Sequence, residues 1–504
     1  MFPSPDQMRD HESSWFASHG TVAEAVEEAG AGIARIFRQF FPNPGTLWLF
    51  LGHGHNAADA LVAARHLAGA GWTVRHHFAN PDSSLAPLAT TALTLLASAS
   101  RGFVPESPDA SLPRPWVAVD GLCGIGARLP IGGPLGRAIR SINHWRDSHG
   151  ASVLAIDLPS GLDGGDGSAC DPCVTADLTI TIAAVKRGLV RNPARVGRLA
   201  LLPLATLPAP DPSGGPDEIL LTAETIGPWL PPRPHDLHKG GAGRIALIAG
   251  SPGMTGAAAL MAMGALHGGA GLITIFTSPE CVAEVARRCP PEAMVRALPA
   301  GGLQSFPCAD FDVIGLGPGC ARTLDATLPG FVRHCPCPLV IDADAINGLV
   351  RQCGATALPI DPTGAARLLT PHPGEFARLA PDLAGLPRAE AATLFVARYP
   401  GATLLMKGAI SIVAAQGMPL AHNQSGNSGL ASGGTGDVLA GLAAALLHRT
   451  GNHPWRAAAA AAWLHGRSAE LICTHGNTST ESLLASTTAI GLGAAFLSLV
   501  RRDS

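Results

Sequence analysis

Short apolar runs recur along this chain at the spacing of a wound α/β protein. In the first part, runs at 46–52, 72–78, 116–122, 153–158, 178–183 and 198–204 predict strands. Helical patterns at 22–40, 57–68 and 135–146 fall between or before them. The second part repeats the style, with strands predicted at 244–250, 272–277, 312–317, 338–342, 402–406 and 410–414. Helices are predicted there at 439–447, 455–472 and 483–499. Alternation of this kind predicts mostly parallel sheets with helices on both faces.

Between the two parts lies 205–217, with four prolines and two glycines in thirteen residues. Such a segment continues neither a helix nor a central strand. It predicts two domains, 1–210 and 218–504. A chain of 504 residues also exceeds the size at which single cores stop growing.

Composition narrows the class. Apolar residues are 47% and charged residues 14%, which suits packed cores and excludes a disordered chain. The formal net charge of -3 gives no reason to expect nucleic acid or a lipid surface as a partner. The stretches 245–279 and 482–500 lack charged residues, but glycine, proline, serine and threonine interrupt them. They read as buried elements rather than membrane spans. The N-terminus lacks the basic start and apolar core of a secretory signal, so a cytoplasmic location is expected. Cys170 with Cys173 and Cys335 with Cys337 are close pairs in proline-containing loops, and read as reduced thiols rather than zinc ligands.

The strongest chemical signal is 427–441, NSGLASGGTGDVLAG, a glycine-rich loop running into an apolar helix. Backbone amides and the helix dipole favour an anion there. Asp437 would repel a phosphate, but it suits a base that accepts a proton from an attacking hydroxyl. The plainer role is a helix-start aspartate after a turn. His372 sits between two prolines in 369–376, LTPHPGEF, and Lys407 ends a predicted strand. In open α/β sheets, ligands bind outside those strand ends. Taken alone, His372 reads as a turn residue and Lys407 as a solvated lysine.

With these residues in place, 222–500 resembles the ADP/ATP-dependent NAD(P)H-hydrate dehydratase family, which has a ribokinase-like fold. The likeness rests on 238–240, 250–251 with 256–258, 269–272, 291–294, 315–319, 342–344 with Asn347, 370–375, 407–409 and the GGTGD run, all in the family's order. It implies that ATP or ADP phosphorylates the hydroxyl of a hydrated NADH or NADPH, and that phosphate leaves to restore the dihydronicotinamide. It further implies that Ala258, Gly319, His372 and Asp437 contact the hydrate. Lys407, Gly408, Ala409, Ile410 and Ser411, with Gly434, Thr435 and Gly436, would contact the nucleotide. Magnesium would accompany the phosphates, with no motif to identify its ligands.

The first part resembles the partner NAD(P)H-hydrate epimerase, a Rossmann-like three-layer sandwich. The matching runs are 26–30, 120–130 (DGLCGIGARLP) with 132–133, and 156–163 (IDLPSGLD). This resemblance implies potassium on Asn56, Asp120 and Ser160. It implies hydrate contacts from Asn56, Asp59, Gly124, Ile125, Gly126, Ala127, Arg128, Leu129, Pro130 and the catalytic Asp157. It departs after the first strand, where the family carries GxGNNGGDG and this chain has GHGHNAADA at 52–60. Alanine adds a methyl and tolerates positive φ poorly, so Ala57, Ala58 and Ala60, beside His55, predict impaired epimerisation. His53 and His55 are a weak metal pair. The alternative is a ribokinase-like small-molecule kinase with a non-catalytic N-terminal binding module. A homo-oligomer is expected in either case.

Overall fold

The computed structural model describes residues 2–80, 85–96, 100–102, 107–210, 217–355, 357–476 and 478–500. The chain divides into two compact units, Met1–Pro216 and Asp217–Ser504. The break falls within the proline-rich linker, whose residues 211–216 lie outside the described residues.

The first unit holds seven strands: β1 (Thr46–Leu51), β2 (Thr73–Phe78), β3 (Ser100–Gly102), β4 (Trp116–Gly121), β5 (Ser152–Ile156), β6 (Leu178–Ile182) and β7 (Arg198–Leu202). They form one sheet in the order β3-β2-β1-β4-β5-β6-β7, with every described pairing parallel. That is a Rossmann-like order, whose direction of winding reverses between β1 and β4. Phe50 pairs with Asp120 and Leu51 with Gly121, so the loops after these strands open side by side. The strands are buried on both faces, as their continuous apolar runs require. Helix Val22–Phe40 has the predicted limits, and its start is set by a reciprocal cap between Thr21 and Glu24.

The second unit holds ten strands: β8 (Glu218–Leu220), β9 (Arg244–Ile248), β10 (Leu272–Thr277), β11 (Ala293–Ala297), β12 (Val313–Leu316), β13 (Leu339–Ile341), β14 (Arg367–Leu369), β15 (Ala402–Met406), β16 (Ser411–Ala415) and β17 (Leu420–Asn423). Their order is β11-β10-β9-β12-β13-β14-β15-β16-β17-β8. From β11 to β15 the pairs are parallel; β15-β16 and β16-β17 are antiparallel. The α/β class expected for both parts is borne out. Helices Thr255–His267 and Thr435–Arg449 cross at very close range, because a Cβ on Gly441 would lie 1.9 Å from the Met261 carbonyl oxygen. No helix among the described residues is long and apolar enough to cross a membrane.

One expectation is corrected here. Helix His55–Gly69 starts at His55, so Ala57, Ala58 and Ala60 are helical rather than part of a glycine-like loop. None of them has a positive φ. All three are fully buried against the core. Alanine is the best helix former, so the backbone argument against this segment fails. Changing the three together to glycine is expected to destabilise the first unit by about 1.5–3 kcal/mol, at 0.5–1 kcal/mol each. It should not speed any reaction there, as denaturant melts and paired activity assays would read.

Candidate active sites

In the second unit, the candidate site residues gather at the C-terminal ends of β13, β14 and β15. Gly434 takes φ +91° just before helix Thr435–Arg449, and a Cβ there would meet Leu260 Cδ1 at 2.4 Å. The turn therefore needs glycine on both counts. Asp437 follows in the first helical turn. Burial first, then the Asp342 carboxylate, push its carboxyl up to about 7; Asp344 and Glu375 add to this, and Lys407 opposes it.

Lys407, just past β15, is not a solvated lysine. Its Nζ donates to Asp342 Oδ1 at 2.8 Å and lies 4.0 Å from Glu375 Oε2. A Cβ on Gly436 would lie 3.3 Å from that Nζ, so the start of the Asp437 helix abuts the ion pair. Arg388 clamps the turn after Lys407, its Nη2 donating to the carbonyls of Met406, Lys407 and Ile410 at 3.0–3.1 Å. Ala409 and Gly408 lie exposed on that turn, and Ser411 Oγ donates back to the Gly408 carbonyl at 3.3 Å.

His372 caps helix Pro373–Leu379: its Nδ1 accepts from the amides of Gly374 at 3.0 Å and Glu375 at 3.4 Å. Glu375 Oε2 accepts from the His372 amide at 2.9 Å, which locks the loop reciprocally. The turn role read from the sequence is thus realised, with the ring half exposed beside Glu375. Ala258 is wholly buried, its Cβ packed under Gly250. Gly319 takes φ +65° against the Met254 carbonyl. Thr435 Oγ1 ties the helix start to the carbonyls of Leu430 and Ser432.

Two participants had no role assigned from the sequence. Asp342 is buried at the end of β13, where it reads as a strand-end residue. His465, from the alanine-rich helix Pro454–His475, has a buried Nε2 without a hydrogen-bond partner. Burial and the Lys407 charge lower its ring to about 4, so it is neutral.

In the first unit, a cavity of about 480 Å³ opens at the reversal point between β1 and β4. Asn56 and Asp59 line it from the start of helix His55–Gly69, Gly124 to Ala127 from the loop after β4, and Asp157 from beyond β5. Arg128, Leu129 and Pro130 continue that loop but do not line the cavity. The methyls of Ala57, Ala58 and Ala60 do not line it either. Asp157 takes φ +66° and ion-pairs with the buried Lys186, and its Oδ1 accepts from the Ile182 amide at 3.1 Å. Lys186 also donates to the Ile182 carbonyl at 2.8 Å. It was missed in the sequence because it closes an apolar run and looks like a surface lysine. Burial, and secondarily Asp157 and Glu12, hold the Asp59 carboxyl well above the usual carboxylate range.

Asn56, Asp120 and Ser160 come together as expected. Ser160 Oγ donates to Asp120 Oδ1 at 2.7 Å and the Ser160 amide to Oδ2 at 2.8 Å. Ser160 Oγ accepts from the Cys123 amide at 3.0 Å, and Asn56 Nδ2 donates to the Cys123 carbonyl at 3.0 Å. Burial raises the Asp120 carboxyl to about 6 against hydrogen bonds from Ser160 and the Leu122 amide, and no cationic side chain pairs with it among the described residues. The oxygen-only donors fit a hard cation, which would supply a counter-charge.

Comparison with known proteins agrees with this division. The family described as NAD(P)H-hydrate dehydratase matches residues 245–490. The family described as YjeF-related protein N-terminus matches 22–188. A bifunctional NAD(P)H-hydrate repair enzyme of Gloeobacter violaceus is 35% identical over 484 residues, covering 92% of each chain. The Escherichia coli enzyme of that name is 34% identical over 467 residues, 90% of this chain and 85% of its own. An ADP/ATP-dependent NAD(P)H-hydrate dehydratase of Bacillus subtilis, crystallised with ATP and Mg2+, is 30% identical with a TM-score of 0.47, over 55% of this chain and 97% of its own. A small-molecule kinase with an idle first part is not favoured by likeness that runs through both units. By that identity and coverage, the chain belongs to the family of bifunctional NAD(P)H-hydrate repair enzymes.

Proposed function

We propose that this chain repairs hydrated nicotinamide dinucleotides with both units. The second unit is a lyase: it dehydrates the S epimer of NADHX or NADPHX using ADP or ATP. The first is an isomerase that interconverts the R and S epimers, feeding the second. Asp437, set against the Lys407–Asp342 ion pair at a helix start, carries the dehydratase reading. It takes the proton of the substrate hydroxyl as that oxygen attacks the terminal phosphoryl group. The amides of Gly434, Thr435 and Gly436 face the phosphoryl charge, and Lys407 with the 408–411 turn holds the nucleotide. His372, Ala258 and Gly319 border the hydrate. Magnesium supplies charge neutralisation on the phosphates when bound.

The test is direct: hydrated NADH with ATP or ADP should regain the absorbance of NADH. A stable phosphorylated hydrate without that recovery would favour the kinase alternative. In the first unit, potassium on Asn56, Asp120 and Ser160 offsets the buried Asp120 charge, and Asp157 with the 124–130 loop contacts the hydrate. Epimerisation should rise with added potassium and lose that dependence in Asp120→Asn; equal rates with and without the ion would remove potassium from the reading. A cytoplasmic location is part of this proposal. The homo-oligomer expected from the resemblance is read by sedimentation.

A further inference from the structure

The residues so far assigned to the first unit come from its sheet edge. One wall of the same cavity is made by a different element, helix Pro5–Phe16, which contributes Arg9, Glu12 and Phe16. This helix is fastened across the cavity rather than loosely appended. Arg9 Nη1 donates to the Ile125 carbonyl, in the expected substrate loop, at 2.8 Å. Trp15 Nε1 donates to the Thr206 carbonyl at 2.7 Å, and His11 Nε2 lies 2.8 Å from the Pro208 carbonyl oxygen. Met8 is fully buried, and the Pro3 carbonyl accepts from the Arg187 amide, next to Lys186. Helix Pro5–Phe16 therefore joins the loop after β4 to the segment that carries Lys186.

Glu12 is the carboxyl this helix brings to the cavity. Three carboxyls, Glu12, Asp59 and Asp157, then line the cavity with one buried ammonium, Lys186. Lys186 is committed to Asp157. Glu12 accepts no hydrogen bond and forms no ion pair among the described residues, although Arg9 and His11 on its own helix and Lys186, Asp157 and Asp59 across the cavity all act on it. Burial is the largest influence and raises its carboxyl. Asp59 is nearly enclosed, whereas Glu12 is half-buried on a separate wall.

Epimerising a hydroxyl on a carbon beside a ring nitrogen needs an acid and a base within reach of one carbon. We propose that Glu12 is the proton donor to the leaving hydroxyl in this reaction, with the Lys186-paired Asp157 as the acceptor. The inference rests on the epimerase reading of this unit. As the C–O bond breaks, the Glu12 proton passes to that oxygen and water departs, while the ring-nitrogen lone pair closes a C=N bond. Water then adds to the same carbon from the opposite face, its proton goes to Asp157, and the C=N pair returns to nitrogen. Exchange with solvent resets both carboxyls. No oxidant or cofactor is consumed.

The full chain carries its own control. Purified S epimer is consumed by the second unit directly, while purified R epimer must pass through the first. Glu12→Gln should slow R-epimer consumption by about 10²–10⁴-fold above the uncatalysed background and leave S-epimer consumption within about 2-fold. Glu12→Asp should recover at least about a tenth of the R-epimer rate, because it keeps the proton. R-epimer turnover near wild type in Glu12→Gln would overturn the proposal. So would a Glu12→Asp chain as slow as Glu12→Gln with an unchanged melting profile. If Glu12→Gln melts early, Glu12→Asp alone decides, by its rate and by the alkaline limb of its pH profile against wild type, where the donor loses its proton. A wild-type chain that consumes S but not R epimer would instead sink the epimerase reading itself.

Discussion

Asp437→Asn is expected to lower dehydration by about 10²–10⁴-fold while ATP or ADP still binds. The substitution keeps the shape of the first helical turn and removes only proton-accepting capacity. Nucleotide affinity should hold or improve, because a carboxylate beside phosphate oxygens is repulsive and the amide is not. The pH profile sharpens the test. A base works only when deprotonated, and the Asp437 carboxyl sits at about 7 in the free protein. The kcat/KM for dehydration should therefore fall as pH drops through 7, well above the fall of an ordinary carboxylate. Burial and the carboxylates Asp342, Asp344 and Glu375 set that position, so Asp342→Asn should shift the fall toward lower pH by relieving repulsion. The same change frees Lys407, so a weakened nucleotide KM should accompany it. Near wild-type turnover of Asp437→Asn would remove it from the base role.

The sheet strands were legible because parallel strands buried on both faces read as apolar runs. β9, β10 and β15 fall where their runs predict. β14 did not show, because its three residues begin with Arg367. That arginine is buried, and its guanidinium donates to the carbonyls of Val332, Cys335 and Cys337 at 2.7–3.1 Å. A charged residue satisfied by backbone carbonyls, three of them 30 or more residues away and two from its neighbours Ala365 and Ala366, carries no pattern that marks it as buried. Asp342 and Lys407, 65 residues apart, failed to show as a pair for the same reason. The glycine-rich turn at Gly434 was legible because its conformation is written into the residue itself. The alanines at 57, 58 and 60 misled in the opposite direction: a family's glycines suggested a loop where helix propensity already favoured a helix.

Lys186 is where the first unit should be most sensitive. The residue is 1% exposed, and its ammonium is held by Asp157, by the Ile182 carbonyl at 2.8 Å and by Thr181 Oγ1 at 3.3 Å. Lys186→Met removes the cation and strands a buried carboxylate, which costs about 3–5 kcal/mol. For a unit of this size that is a fall in Tm of roughly 6–20 °C, read as the first unit's transition in calorimetry. Asp157→Asn alone leaves the ammonium buried without its charge partner and should cost a similar amount. Asparagine tolerates the left-handed backbone at 157 (φ +66°), so no strain is added there. The double variant Asp157→Asn/Lys186→Met removes both charges and should recover most of the lost stability. Epimerisation should stay lost in all three, because none keeps the paired carboxylate. Dehydration of the S epimer, carried by the other unit, should persist in each. A double variant no more stable than either single change would mean that the pair contributes packing rather than charge balance. Recovered epimerisation in that variant would remove Asp157 from the chemistry.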